Sequence, residues 1–171
     1  MLSEAQVRKI SLLSDNVLYH EAVDFIRHLV REEECSPLSS KQTNGLLNIA
    51  SVMQYDKLRE FVIHQRDRNW PASKADIKTF YTELEKYLAL MQKKRLKDEF
   101  GLVTEGLSVQ AAREEVKQLM AALVYDFVQH LVIENGLLVA ERANSKGQGK
   151  REERDRQKQQ EPQKYMSRRE R

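Results

Sequence analysis

One cysteine, three prolines, six glycines and one tryptophan are spread over 171 residues, and aromatic side chains make up only 7% of them. A lone Cys35 excludes an internal disulfide and a Cys-rich zinc site, a usage that fits a reducing cytoplasm. Cys35 itself reads as a loop thiol without a role. So little Gly and Pro, with 32% of residues charged, is the composition of a helical protein. No stretch alternates with period two between turn signals, so no sheet is expected. No apolar run approaches the roughly 20 residues of a membrane span, and MLSEAQVRKI has no signal-peptide core. The expectation is a soluble, unsecreted, cytoplasmic protein with no membrane contact. A phosphate-cradling Gly-rich loop, a nucleophile elbow and a paired metal-ligand motif are all missing, so no catalytic residue, metal or cofactor is expected.

What the chain does have is charge, unevenly placed. Its net charge is +3. Residues 1–140 hold 18 Lys+Arg against 20 Asp+Glu, whereas residues 141–171 hold 11 against 6. The basic excess is therefore in the tail. Residues 1–140 read as a helical domain, and residues 141–171 as a basic tail too poor in apolar residues to offset its conformational entropy, hence disordered. The tail cations either hold RNA, DNA or an acidic partner weakly or only keep the chain soluble.

Ser3 can cap a short first helix through Leu13, and Asp15 or Asn16 can open a second running to about Glu34, with Leu18, Ala22, Phe25, Ile26 and Leu29 on its apolar face. His20, Asp24 and His28 share one side at metal-ligand spacing, but Arg27 and Arg31 share it too and would repel a divalent ion. After a loop at residues 32–40, Ser39 or Ser40 can cap a helix whose stripe is Leu46, Ile49, Ala50 and Met53. Gly45 interrupts it at about 1 kcal/mol relative to Ala. Either another backbone approaches there, or a Gly is tolerated near the helix start.

The next helix buries Tyr55, Leu58, Phe61, Val62 and Gln65. Lys57, His64 and Arg68 flank that stripe on one side, Arg59 and Arg66 on the other. Such flanks suit either a solvated face with intrahelical ion pairs or a helix that offers cations to a polyanion across its edge. Trp70 and Pro71 end this pair, and Ser73 can cap the following helix. Its stripe is Ile77, Phe80, Tyr81, Leu84, Tyr87, Leu88 and Met91, an aromatic pattern of core far more often than of a base-stacking platform, with Lys86, Lys93 and Lys97 together on the opposite face. Gly101 to Leu107 is a connection. A last long helix from about Ser108 to Asn135 carries Val109, Ala112, Val116, Leu119, Met120, Leu123, Phe127 and Leu131 on one face, with Asn135 and Gly136 as its stop. The fold expected is all-α, a compact bundle of about five or six helices with a disordered basic C-terminal tail.

One segment, REFVIH from Arg59 to His64, fits the loose Arg-to-His spacing of helical ribonucleases of the higher eukaryote and prokaryote nucleotide-binding type. On an ideal helix the two side chains lie about 140° apart, which does not bring both to one phosphate.

The run LSSKQTNGLLNIASVMQYDKLREFVIHQRDRNW, followed by FYTELEKYLALM and a closing amphipathic helix, resembles the small subunit of type III CRISPR-Cas effector complexes. The resemblance spans roughly Leu38 to Gly136 and rests most on Gln42 with Gly45, Leu46 and Leu47, and on Phe61, Gln65, Arg66 and Arg68. The N-terminal helices match only loosely, and the basic tail departs from the pattern. The resemblance implies a non-catalytic helical subunit of a ribonucleoprotein used in antiviral defence. Several copies would stack head to tail along the duplex of guide RNA and target RNA, beside the backbone subunits and towards the large signalling subunit. Contact with nucleic acid would be through phosphates and not through bases. A surface following a duplex of arbitrary sequence needs spaced cations and no base readout. The expected RNA contacts are Lys57, Arg59, Arg66 and Arg68, then Lys41, Lys86, Lys93 and Lys97. A helical adaptor of another assembly is the alternative reading, and a ribonuclease the third.

Overall fold

A computed structural model describes the backbone of residues 1–160 and the side chains of residues 1–145. The protein is all-helical, with no strand among the described residues. Helix α1 (Glu4–Leu13) opens with a capping box in which the Gln6 N–H donates to Ser3 Oγ at 3.2 Å and the Ser3 N–H donates to Gln6 Oε1 at 2.8 Å. The break expected at Asp15 or Asn16 does not occur. Ser14–Leu18 winds as a π turn straight into α2 (Tyr19–Arg31). Asn16 turns its side chain back to the Leu12 carbonyl at 2.8 Å instead of capping forward. Leu18, Ala22, Ile26 and Leu29 are buried as the spacing predicts. Helix α2 stops at Arg31, not Glu34. Glu34 takes φ 53°, and the Cys35 N–H returns to the Leu29 carbonyl at 2.9 Å.

Helix α3 (Ser40–Ser51) is capped by Ser39 in a second box with Gln42. Leu46 and Ala50 are buried, but Met53 is not on their stripe: it sits past the helix end at φ 57° with its side chain exposed. A Cβ on Gly45 would meet only the Phe61 ring, at 3.9 Å, an ordinary contact. Gly45 is thus a tolerated glycine, and no backbone presses on it. Helix α4 (Tyr55–Asp67) buries Tyr55, Leu58 and Val62 and packs mainly on α5 (Ala75–Leu90). Ser73 does not cap α5. It lies inside a 3-10 turn, Ala72–Lys74, and α5 starts without a side-chain cap.

The α5 stripe is core, with Phe80, Tyr81, Leu84 and Leu88 each at most 2% exposed. Tyr87 stacks on Phe127 of the last helix at 4.2 Å between ring centres. Helix α5 continues into a π-helical segment, Met91–Glu99, which ends against Gly101 at φ 52°. A π winding bonds i to i+5, so seven residues no longer return to the same face.

That winding also turns Arg95 inward. Its guanidinium donates to both oxygens of Glu21 at 2.6 and 2.8 Å and to both of Glu99 at 2.7 and 2.8 Å. It also lies 4.7 Å from the centre of the Phe100 ring, and Tyr87 donates to Glu21 at 2.6 Å. A buried cation needs this degree of pairing to offset its desolvation.

Helix α6 (Val109–Gln160) is the longest element and runs through Asn135 and Gly136, which do not stop it. Asn135 spends its amide across the bundle instead. It accepts from the Leu38 N–H at 2.7 Å and donates to the Leu38 carbonyl at 2.9 Å. Beside it, Glu134 is 4% exposed and receives Arg27 Nε at 2.6 Å. The expected apolar face of α6 is buried from Leu119 to Leu131, whereas Val109 is 70% exposed. By length and composition the helix over Val109–Ser145 could cross a membrane: its most apolar 18-residue window has a mean hydropathy of 1.2, and 44% of that window is buried inside the protein. A helix packed in a protein core reaches the same apolarity.

Residues Met1–Asn135 form one compact unit and the chain from Gly136 another. In the second, Ser145 donates to the Glu141 carbonyl one turn back at 2.9 Å. The tail expectation falls partly on residues 161–171, which lie outside the described residues.

Candidate nucleic-acid interface

The expected cations divide into three groups. Lys57 and Arg59, on the first two turns of α4, are exposed and make no ion pair among the described residues. Lys93 and Lys97 are also exposed and unpaired there, on the π segment. These four are free to meet an anion.

Arg66 and Lys86 are engaged. Arg66 donates to both oxygens of Asp67 at 2.7 and 2.8 Å and also to Glu85 of α5. Those carboxylates, Asp67 first, push the Arg66 guanidinium further up, and Arg66 in turn holds the Asp67 carboxyl below its ordinary range. A phosphate would have to displace two carboxylates to use it. Lys86, itself exposed, pairs with the half-buried Glu83 at 2.7 Å.

Arg68 and Lys41 form the third group, which the sequence did not bring together. Arg68 lies beyond the end of α4 in extended backbone, not on a helix flank, and its guanidinium stands 4.6 Å from the centre of the Trp70 ring. Trp70 is fixed by its indole N–H, which donates to the Gln65 carbonyl at 2.7 Å. Arg68, Lys41 in the first turn of α3, and Lys74 of the 3-10 turn line one cleft of about 630 Å³ between α3, α4 and α5. Phe61, Trp70 and Tyr81 supply aromatic walls. Asp76 also lines it, with one oxygen accepting from the Ser36 N–H at 2.9 Å.

Sequence reasoning named Trp70 only as a helix terminator, Tyr81 as part of a stripe that reads as core before base-stacking platform, and Lys74 not at all. A Trp-Pro pair beside Arg68, with Lys74 three residues after Pro71, was the available signal. Arg95 was missed for a different reason, since nothing in its neighbours announces the π winding that buries it.

Other candidates do not assemble. No group of three or more His, Cys, Asp or Glu among the described residues could hold a metal, and His28 faces Glu32 at 3.0 Å. Helix α4 is regular from Arg59 to His64, so the angle of about 140° between them stands. Cys35 is buried, and that burial, with Asp76 and Glu33 nearby, raises its thiol pKa, which suppresses thiolate chemistry.

No family model matches this chain, and no curated protein and no solved structure matches it.

Proposed function

We propose that the protein is a non-catalytic helical small subunit of an RNA-guided type III CRISPR-Cas effector complex. Copies of it would stack along the guide-target duplex, contact phosphates, and touch the backbone and large signalling subunits. The observation that carries this reading is the pair Lys57 and Arg59, exposed at one end of α4 and unpaired among the described residues. Lysines and arginines that lack carboxylate partners exchange counterions with a polyanion at little cost, and they do so without reading bases. The sequence resemblance over Leu38 to Gly136 supplies the identity of the assembly.

The test begins with the tagged chain purified gently from its native cell. Short RNAs sharing a repeat-derived 5′ end, together with larger effector subunits, are expected. No RNA and unrelated proteins would overturn the reading in favour of a helical adaptor. One observation favours that second reading. Leu107 and Val109 are exposed beside Ala112 and Val116, an apolar strip at the start of α6 that could seat a partner helix.

A further inference from the structure

The cleft between α3, α4 and α5 combines features that a phosphate track does not need. Its volume, about 630 Å³, is that of a small-molecule pocket. Its walls include three aromatic rings, and its rim carries three cations, Lys41, Arg68 and Lys74, against one carboxylate, Asp76. That carboxylate is already engaged by a backbone N–H. The first turn of α3 faces the cleft through Lys41 and Gln42, which adds the positive end of a helix dipole.

The decisive group is Tyr81. It is 1% exposed, its ring is clasped edge-on by Phe61 and Phe80, and its hydroxyl makes no hydrogen bond among the described residues. Among those residues no fully buried side-chain polar atom lacks a partner. The Tyr81 hydroxyl therefore keeps a small exposure, and Tyr81 is one of the residues that line the cleft. A phenol placed deep among rings and left without a protein partner has its donor and acceptor available to a ligand.

We infer that this cleft takes one unpaired nucleotide of single-stranded RNA, its base stacked beside the Arg68–Trp70 pair and bonded to the Tyr81 hydroxyl, its phosphate at Lys41 and Lys74. Bases stack readily on aromatic rings and on guanidinium planes, and the rim charge suits the attached phosphate. The inference rests on the reading of this chain as an RNA-binding subunit. It adds to the phosphate track a place where a base leaves its stack.

Trp70 is the sole tryptophan, so intrinsic fluorescence of the full chain reports on the cleft directly. The probes are adenosine monophosphate, ribose 5-phosphate, a single-stranded RNA hexamer and a guide-target duplex, with hexamer and duplex binding followed in parallel by filter retention. We expect saturable change in Trp70 emission with the monophosphate and the hexamer. Ribose 5-phosphate should bind at least tenfold more weakly. Tyr81→Phe should weaken the monophosphate about fivefold, as for one lost hydrogen bond, while leaving the urea midpoint unmoved because that hydroxyl has no protein partner. Lys41→Ala with Lys74→Ala should weaken it further.

Hexamer retained on the filter with unchanged Trp70 emission would overturn the cleft and leave the phosphate track standing. Equal binding of ribose 5-phosphate would overturn base insertion, since the cleft would then be an anion site. Saturable monophosphate binding with no retention of a guide-target duplex would keep the cleft and overturn the proposed function. Binding of none of the probes would overturn both.

Discussion

At the scale of single residues, the charges that matter for stability are not those expected to matter for RNA. Arg95 was overlooked in the sequence, yet its side chain is only 9% exposed and ties the π segment to α2 through Glu21. Arg95→Ala strands the carboxylates of Glu21 and Glu99 and opens a void beside Phe100. Because both carboxylates keep some access to water, we expect a loss of about 2–3 kcal/mol in urea unfolding, below the full cost of breaking a buried pair. Asp126 behaves oppositely. Burial raises its carboxyl pKa above the ordinary aspartate range, against smaller lowering effects from Ser14 and His130. A carboxyl whose folded pKa exceeds its unfolded one favours folding more as pH falls through the folded value, and carries a constant penalty above it. Asp126→Asn should therefore raise the urea midpoint at pH 7, and this advantage should shrink as pH drops towards 4. An advantage that grows on acidification would refute the assignment.

At the scale of elements, the neighbours Asn135 and Gly136 give opposite expectations. As a helix stop, both would be needed, and Gly136→Ala would cost stability by forcing an alanine into a left-handed turn. In the structure Gly136 is inside α6, without positive φ and with open space where a Cβ would go. Gly136→Ala should then stabilise by about 0.5–1 kcal/mol. Asn135→Ala should cost about 2–3 kcal/mol, because it leaves the buried N–H and carbonyl of Leu38 unpaired. Calorimetric or urea unfolding of the two variants separates the readings by sign. This pair also shows what was legible. Helix existence, the α5 stripe and a serine cap at Ser3 and at Ser39 or Ser40 follow from local spacing, which is written in the sequence. The π turns, the end of α6 and the cleft depend on tertiary partners such as Glu21, Leu38 and Trp70. Local spacing gives Asn-Gly the same meaning whether or not a loop backbone far away in sequence is waiting for the amide.

At the scale of the whole molecule, the question is how a bundle whose first 140 residues are slightly acidic would hold a polyanion. Net charge cannot do it, so local cations without partners must. Among those singled out in the sequence, Lys57 and Arg59 meet that condition and Arg66 does not. Lys57→Ala with Arg59→Ala should lower affinity for a guide-target duplex uniformly across sequences. It should also reduce the slope of log affinity against log salt by roughly 1.4–1.8, the release expected for two phosphate contacts. Arg66→Ala should leave that slope nearly unchanged. What it loses is the tie between α4 and Glu85 of α5, a partly exposed pair whose removal should lower the urea midpoint only slightly. Salt titration of duplex binding beside unfolding of the same variants thus assigns each cation to the surface or to the fold. A steep loss of slope in Arg66→Ala would mean that RNA outcompetes Asp67 and Glu85, and that the phosphate track runs along the α4–α5 seam.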